Sequence, residues 1–147
     1  MKLDFEIMPS GAFNNNLRTA LSKKAWDFIR KGAYERANYK CSMCGKKAKR
    51  LEAHERWSFD KERGIQKLED VLAVCHACHS VIHIARTQVL GFEDKAIIHF
   101  RKVNNCDYQG YIQALKKATE KSVELSTVSE WNLDLSWLKR FIEDEIK

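Results

Sequence analysis

Residues 75–83 read CHACHSVIH, and together with residues 41–44, CSMC, they decide the fold of this chain. Each stretch holds two cysteines separated by two residues, a spacing that lets one tight turn offer two thiolates to a metal ion. Two such turns complete a tetrahedral site, so we predict a structural Zn²⁺. Its four ligands are Cys41, Cys44, Cys75 and Cys78. The alternative, four unligated cysteines in a core, leaves the paired spacing unexplained.

Composition and charge bound the class of protein. The chain has 147 residues, 44% of them apolar and 31% charged, which is typical of one soluble domain spanning residues 1–147. No run approaches the ~20 apolar residues of a membrane span. Residues 1–11, MKLDFEIMPSG, carry acids where a signal peptide is apolar. We therefore expect no membrane association and a cytoplasmic location, where reducing conditions disfavour disulfides.

Local patterns predict an α+β fold that is mostly α. Ser22 can cap a helix that runs to about Asn38. Residues 50–59 and 65–75 are predicted to form two strands around the turn-like sequence DKERG. Further helices are predicted over residues 76–90, 93–103, 107–126 and 135–146, the last two capped by Asp107 and Asp134.

Three histidines are candidates for a second metal site. His79 and His83 are four residues apart on a predicted helix, so they share one face and can chelate one ion. His54, within LEAHERW on the preceding hairpin, can supply a third imidazole. Three neutral imidazoles suit Zn²⁺, Ni²⁺ or a similar ion and leave a coordination position open for substrate. The alternative is an ordinary surface or core pair, and we assign no functional role to His99.

Basic residues are concentrated in the N-terminal half of the chain. Residues 17–50 hold eleven Lys and Arg against two acids, whereas residues 120–147 hold seven acids against four bases. One basic face suits a polyanion, so we predict nucleic-acid binding, with a solvated helix surface as the alternative. The predicted contact residues are Arg18, Lys46, Lys47, Lys49, Arg50 and Arg56.

The set of motifs in residues 41–83 resembles the HNH nuclease family and its ββα-metal motif. In that family a CxxC turn precedes a strand with two catalytic residues, a second strand and CxxCHxxxH. The corresponding pieces here are CSMCG, LEAHE, LAVC and CHACHSVIH, and NNLRTALSKKAWDFIR, IQKL and EWNLDLSWL are similar to a bacterial and phage group of uncharacterised HNH proteins. The resemblance implies a treble-clef-like ββα core over residues 41–90, between an N-terminal helical segment, 1–40, and C-terminal helices, 91–147.

The resemblance also implies roles for single residues. It places His54 as a metal ligand and Glu55 in the position of the general base, with His79 and His83 completing the metal site. In the family the first two residues lie where the strand gives way to a loop, which the sequence RWSFD permits. The chain departs from the pattern at Glu55, where histidine is usual, and at Asp70, which replaces an asparagine that orients this histidine. We interpret these departures as a paired change and predict catalytic roles for His54, Glu55 and Asp70.

These features predict a metal-dependent endonuclease that hydrolyses phosphodiester bonds of DNA, with RNA as an alternative substrate. Besides the structural Zn²⁺ it would use a second divalent ion, which could be Mg²⁺, Mn²⁺, Ni²⁺ or Zn²⁺. A glutamate is a weak base near its ordinary pKa of ~4.3, so burial of Glu55 would have to raise that pKa. The alternative function is a weakly active or inactive zinc module that binds nucleic acid or a host protein, as a phage-encoded inhibitor would. Three histidines around an open coordination position favour the enzyme.

Overall fold

An antiparallel hairpin forms the centre of the fold. In the computed structural model, which describes residues 1–141, β1 (Glu52–Asp60) and β2 (Ile65–Val74) pair along their whole lengths. The turn between them ends at Gly64, whose φ of +66° lies in the left-handed region that favours glycine. The hairpin predicted from the sequence is therefore confirmed.

Six α-helices surround this hairpin in the described part of the chain. They are α1 (Leu17–Ala20), α2 (Lys23–Arg36), α3 (His76–Ile82), α4 (Ile84–Val89), α5 (Glu93–Asn104) and α6 (Tyr108–Leu125). The Ser22 hydroxyl accepts a hydrogen bond from the backbone of Ala25, and the Asp107 carboxylate accepts one from Gly110, so both predicted caps are confirmed. About half of the chain is helical, which confirms the α+β class. None of these helices is both long and apolar enough to cross a bilayer.

The predicted helix over residues 76–90 is interrupted at His83. This residue has φ −94° and ψ 54°, so α3 ends before it and α4 begins after it. In a continuous helix, the Ser80 carbonyl would accept a hydrogen bond from the backbone N–H of Ile84. Instead, the Thr87 hydroxyl donates to that carbonyl at 2.6 Å. Side-chain competition for a backbone acceptor thus accompanies the break.

The chain returns to the hairpin near its described end. A three-residue strand, β3 (Asn132–Asp134), pairs in parallel with the start of β2, and it was not predicted from the sequence. Asp134 accepts from the backbone N–H of Ser136 at 3.0 Å and precedes the 3₁₀ turn Ser136–Leu138. The predicted last helix thus begins as a 3₁₀ turn, and its residues 142–146 lie outside the described residues.

Two apolar clusters lie on opposite sides of the hairpin. The cluster on the α3 side includes the buried side chains of Leu3, Phe5, Val74, Ile82, Phe100 and Tyr111. The cluster on the α2 side includes Leu17, Trp26, Ile29, Leu68, Val71 and Leu138. Burial on both faces fixes the hairpin between helices, and residues 3–7 of the N-terminal segment pack against α3 and α5.

Candidate functional site

The four predicted zinc ligands lie together at one end of the hairpin. Cys41 and Cys44 belong to a tight turn that precedes β1, and the backbone N–H of Gly45 closes it on the Cys41 carbonyl at 2.9 Å. Cys75 caps α3, and Cys78 lies in the first turn of that helix. The four sulfur atoms are all within 4.8 Å of one another. This cluster could hold a structural metal such as Zn²⁺, because four thiolates are the donor set of closed structural zinc sites.

Without an ion, the surroundings of the cysteine cluster favour a thiolate at Cys41, whereas burial raises the pKa of Cys75 and the hydrogen bond with Cys41 raises the pKa of Cys78. Backbone N–H groups point at two sulfur atoms, from Met43 to Cys41 and from Cys78 to Cys75, each at 3.4 Å. A hydrogen bond from the Cys78 thiol, with further backbone N–H bonds, lowers the pKa of Cys41 to about 4. The Nε2 atom of His99 lies 3.1 Å from Cys78 Sγ. The sequence offered no signal for this contact, since α5 is brought to the cluster only by packing.

The three predicted metal-binding histidines also lie together. His54 is on β1 and is 1% exposed, while His79 and His83 lie on α3 and at its end. Their candidate ligand nitrogens are all within 4.8 Å of one another, and the ring centroids are 4.7 to 5.5 Å apart. A tetrahedral ion with Zn–N near ~2.1 Å holds its nitrogens roughly 3.4 Å apart, so shifts on the order of 1 Å would close the triad on one ion.

The protonation chemistry of the triad fits a metal site. Burial lowers the pKa of His83 to about 3, and the neighbouring His79 and His54 add to this effect. Burial likewise lowers the pKa of His79. Both imidazoles are therefore neutral at neutral pH, which is the form that binds metal. The buried Nδ1 atom of His54 has no hydrogen-bond partner among residues 1–141, as expected of a nitrogen that is free to take an ion.

Two carboxylates that the sequence did not single out contact these histidines. Glu52 accepts from His79 Nδ1 at 2.7 Å through one oxygen and contacts His76 Nδ1 at 2.9 Å through the other. Although burial opposes the change, these hydrogen bonds lower the pKa of Glu52. The carboxylate of Glu6 contacts His54 Nε2. Glu6 lies 48 residues before His54, so local spacing could not have indicated this contact.

Glu55 lies next to His54 in sequence but faces the other side of β1. The resemblance implied that β1 gives way to a loop at Glu55, but the strand continues to Asp60. Neighbouring side chains therefore alternate, and Glu55 Oε1 accepts from the backbone N–H of Leu17 at 2.6 Å. Burial raises the pKa of Glu55, opposed mainly by the Leu17 hydrogen bond. The catalytic role of Glu55 stays a prediction.

Asp70 lies on β2 and pairs with Arg56 of β1. The register of the hairpin shifts next to this pair, between Arg56 and Trp57. Its Oδ1 atom accepts from the backbone N–H of Val71 at 2.8 Å. The contacts of Asp70 are thus within the hairpin, and its predicted catalytic role also stays a prediction.

A cleft of about 830 Å³ opens between α2 and the α3–α4 unit. Two triad histidines, His79 and His83, line it. Its basic and aromatic lining side chains are Arg18, Lys23, Arg30, Arg86, Trp26 and Tyr34. Only Arg18 was among the predicted nucleic-acid contacts. Of the others, Lys46, Lys47, Lys49 and Arg50 lie on the cysteine turn and the loop after it, and Arg56 is exposed on β1.

Sequence spacing missed the other basic residues of the cleft because they come from different elements. Lys23 and Arg30 lie on α2, seven residues apart and hence on one face, whereas Arg86 lies on α4. A helical plot of α2 could have found the first two, but Arg86 comes from a separate helix, which local spacing does not connect with α2.

No protein-family model matches this chain, and no curated protein or solved structure gave a significant match. The resemblance to HNH nucleases therefore stays a prediction that rests on the motif residues.

Proposed function

We propose that this protein is a metal-dependent endonuclease of the HNH type that hydrolyses phosphodiester bonds of DNA. One observation carries the proposal: three convergent imidazoles lie beside a cleft whose walls carry four Lys and Arg side chains. A structural zinc module has no need of the histidines, and a simple nucleic-acid-binding surface has no need of an open coordination position next to its cations.

The histidine triad would hold the divalent ion. His54 would supply Nδ1, because its other nitrogen is occupied by Glu6. His79 would supply Nε2, because its Nδ1 faces Glu52. When bound, such an ion supplies Lewis-acid stabilisation of charge on a phosphate oxygen. Three protein ligands leave room for that oxygen, as in catalytic rather than structural metal sites.

The basic side chains of the cleft would hold the nucleic-acid backbone. Arg18, Lys23 and Arg86 can each neutralise a phosphate, and such contacts give affinity and register without reading sequence. Arg30 is partly committed, since it donates to Asp27 at 3.0 Å and lies over the ring of Tyr34. We therefore expect binding that is largely independent of sequence.

In this proposal Glu55 is the general base. Its raised pKa brings the carboxylate closer to the working range of a proton acceptor. One oxygen accepts from Leu17, so the second oxygen would accept the proton of the attacking water. Because Glu55 points to the α1 side of β1, this role requires a change in the backbone of β1 at Glu55 and not only a rotation of the side chain.

One observation favours a second function, a zinc module that binds nucleic acid or a host protein without cutting. The Glu55 carboxylate is engaged with the start of α1 and would then have a purely structural role. The cysteine cluster and the basic cleft would serve such a module equally well.

Plasmid nicking with a panel of divalent ions separates the two functions. The wild-type protein is expected to convert supercoiled to nicked DNA with at least one of Mg²⁺, Mn²⁺, Ni²⁺ and Zn²⁺. His54→Ala, purified in parallel with its cysteine-bound zinc intact, is expected to be inactive. Absence of nicking by wild type across ions, with retained DNA binding, would favour the non-cutting module.

A further inference from the structure

We propose that Glu6 is a positioning residue for the histidine triad. Its carboxylate accepts a hydrogen bond from His54 Nε2 and so directs His54 Nδ1 towards the metal ion. The inference rests on the metal site of the proposed function, but not on catalysis. It extends that site to the N-terminal segment, which neither motif spacing nor the resemblance connects with the metal.

The first support comes from the two nitrogens of His54. This side chain is 1% exposed, its Nε2 contacts the Glu6 carboxylate, and its buried Nδ1 has no partner within residues 1–141. Buried polar atoms without partners are rare in folded proteins. An ion at Nδ1, with the N–H on Nε2 donated to Glu6, satisfies both nitrogens. Metal-bound histidines typically donate their second nitrogen to a carboxylate in this way.

The second support is that His79 has the same arrangement. Its Nδ1 donates to Glu52 at 2.7 Å, which leaves Nε2 for the ion. Two of the three histidines thus have a carboxylate on one ring nitrogen, and the other nitrogen would be left for the ion. Glu52 reaches His79 from the hairpin itself, whereas Glu6 reaches His54 from a distant part of the chain.

The third support is the way in which Glu6 is held. Its backbone N–H donates to the carbonyl of Ile82 at 2.8 Å, next to His83. Phe5 stacks on Phe100 of α5, with ring centroids 4.9 Å apart. These contacts fix the backbone of residue 6 against α3, so its carboxylate is presented to His54 by a rigid segment.

The beginning of the chain is anchored in the same way. Leu3 is fully buried and exchanges two hydrogen bonds with the side chain of Asn104, at 2.9 and 2.7 Å. Tyr111 of α6 packs edge-on against Phe5. The C-terminal helices α5 and α6 therefore have a function in this proposal: they hold the segment that carries Glu6.

Metal affinity of the triad tests the proposal without using nuclease activity. The full-length protein is first loaded with one Zn²⁺ at the cysteines and then titrated with Co²⁺ against a competing chelator, following the Co²⁺ absorption bands. Glu6→Ala is expected to bind Co²⁺ 10- to 100-fold more weakly than wild type, the usual loss when such a carboxylate is removed. Glu6→Gln keeps an acceptor oxygen without the charge, so its affinity should lie between the two.

Asp4→Ala is the matched control, since it removes one carboxylate from the same segment. Its affinity for Co²⁺ should stay within about twofold of wild type. The band positions of Glu6→Ala should match those of wild type, because the ligand set is unchanged.

Three results would overturn the proposal. They are an unchanged affinity in Glu6→Ala, an equal loss in Asp4→Ala, and a shifted spectrum that makes Glu6 a direct ligand. If wild type itself binds no Co²⁺ beyond the cysteine site, the metal site of the proposed function fails and this inference fails with it. If wild type binds the ion but does not cut DNA, only the nuclease proposal fails.

Discussion

The cysteine cluster and the histidine triad are joined by one helix, yet they differ in almost every chemical respect. Helix α3 begins at the cap residue Cys75 and ends before His83, so both groups are built on its two ends. The cluster has four cysteines, the donor set of closed structural zinc sites. The triad has three imidazoles, and two of them line a cleft. In the proposed function, this difference gives the cysteine end of the helix a structural role and the histidine end a catalytic role.

The hydrogen-bonding groups around the cysteines and around the histidines match the net charge that each set would carry with a metal ion bound. Zn²⁺ with four thiolates carries two negative charges, and hydrogen-bond donors surround it: backbone N–H groups and His99. A divalent ion with three imidazoles keeps two positive charges, and carboxylates surround the triad: Glu6 and Glu52. Donors around one set and acceptors around the other are the arrangement expected if both sets bind metal.

Removal of one thiolate should have the largest effect of any change in the molecule. Cys41→Ser is expected to lose the zinc and with it folding free energy on the order of 10 kcal/mol, because the unfolded chain lacks the site. The measurement is metal content together with thermal denaturation. Cys106→Ser is the control, because Cys106 lies outside the cluster and should keep both zinc and stability. A Cys41→Ser protein with less than one zinc but unchanged thermal stability would contradict the structural role.

Removal of one imidazole should abolish function while leaving the fold. His54→Ala is expected to keep the cysteine-bound zinc, lose the second ion and lose cleavage, since two imidazoles make a weak chelate. Metal analysis before and after incubation with Mn²⁺ or Ni²⁺, combined with plasmid nicking, checks this. If His54→Ala loses both ions, the two metal sites are not independent, and separate roles for the two ends of α3 are wrong.

Many features of the fold and of the two clusters could be predicted from the sequence, because the signals for them are local. The CxxC spacing, the caps Ser22 and Asp107 and the hairpin alternation all depend on neighbours within a few residues, and the structure has each of them. The contact of Glu6 with His54 depends instead on the packing of Phe5 against Phe100, far along the chain.

Two further features lay beyond sequence reasoning. The break at His83 follows a single hydrogen bond from Thr87, which periodicity does not reveal. The resemblance implied that β1 ends at Glu55, but Glu55 pairs with Val71 and the pairing continues from Arg56 to Asp60, which keeps the strand extended. The sequence thus predicted which cysteines and histidines lie together better than it predicted the residues that contact them.

Glu55→Gln separates a catalytic from a structural glutamate. If Glu55 is the base, the variant should keep both metals and its DNA affinity but lose cleavage by about 10²- to 10⁴-fold. If the only role of Glu55 is to accept the hydrogen bond from the backbone N–H of Leu17, a glutamine can accept it too, and activity should be unchanged. Single-turnover cleavage under saturating protein measures the step directly. Full activity would remove Glu55 as the base and direct attention to Asp70.

Charge reversal tests whether nucleic acid binds in the cleft beside the triad or on the turn beside the cysteines. Arg86→Glu changes the cleft, and Lys46→Glu with Lys47→Glu changes the cysteine turn. Each phosphate contact on duplex DNA contributes about 0.9 to the slope of log K against log salt, so a reversed contact should lower that slope by about this amount. Lys116→Glu on the exposed side of α6 is the control. A flat salt dependence in wild type would indicate a protein partner.

The smallest effect is expected at His99, which contacts the cysteine cluster without belonging to it. Its Nε2 lies 3.1 Å from Cys78 Sγ, and in a zinc-bound cluster the imidazole N–H would donate to the Cys78 thiolate. Loss of one such hydrogen bond in His99→Ala should cost about 1 kcal/mol, which lowers the melting temperature by roughly 2–5 °C in a domain of this size. The zinc should stay bound but transfer faster to a chelator, since the thiolate loses a donor. Complete loss of zinc would instead make His99 a ligand, and the cluster would no longer be the closed four-thiolate site that the comparison requires.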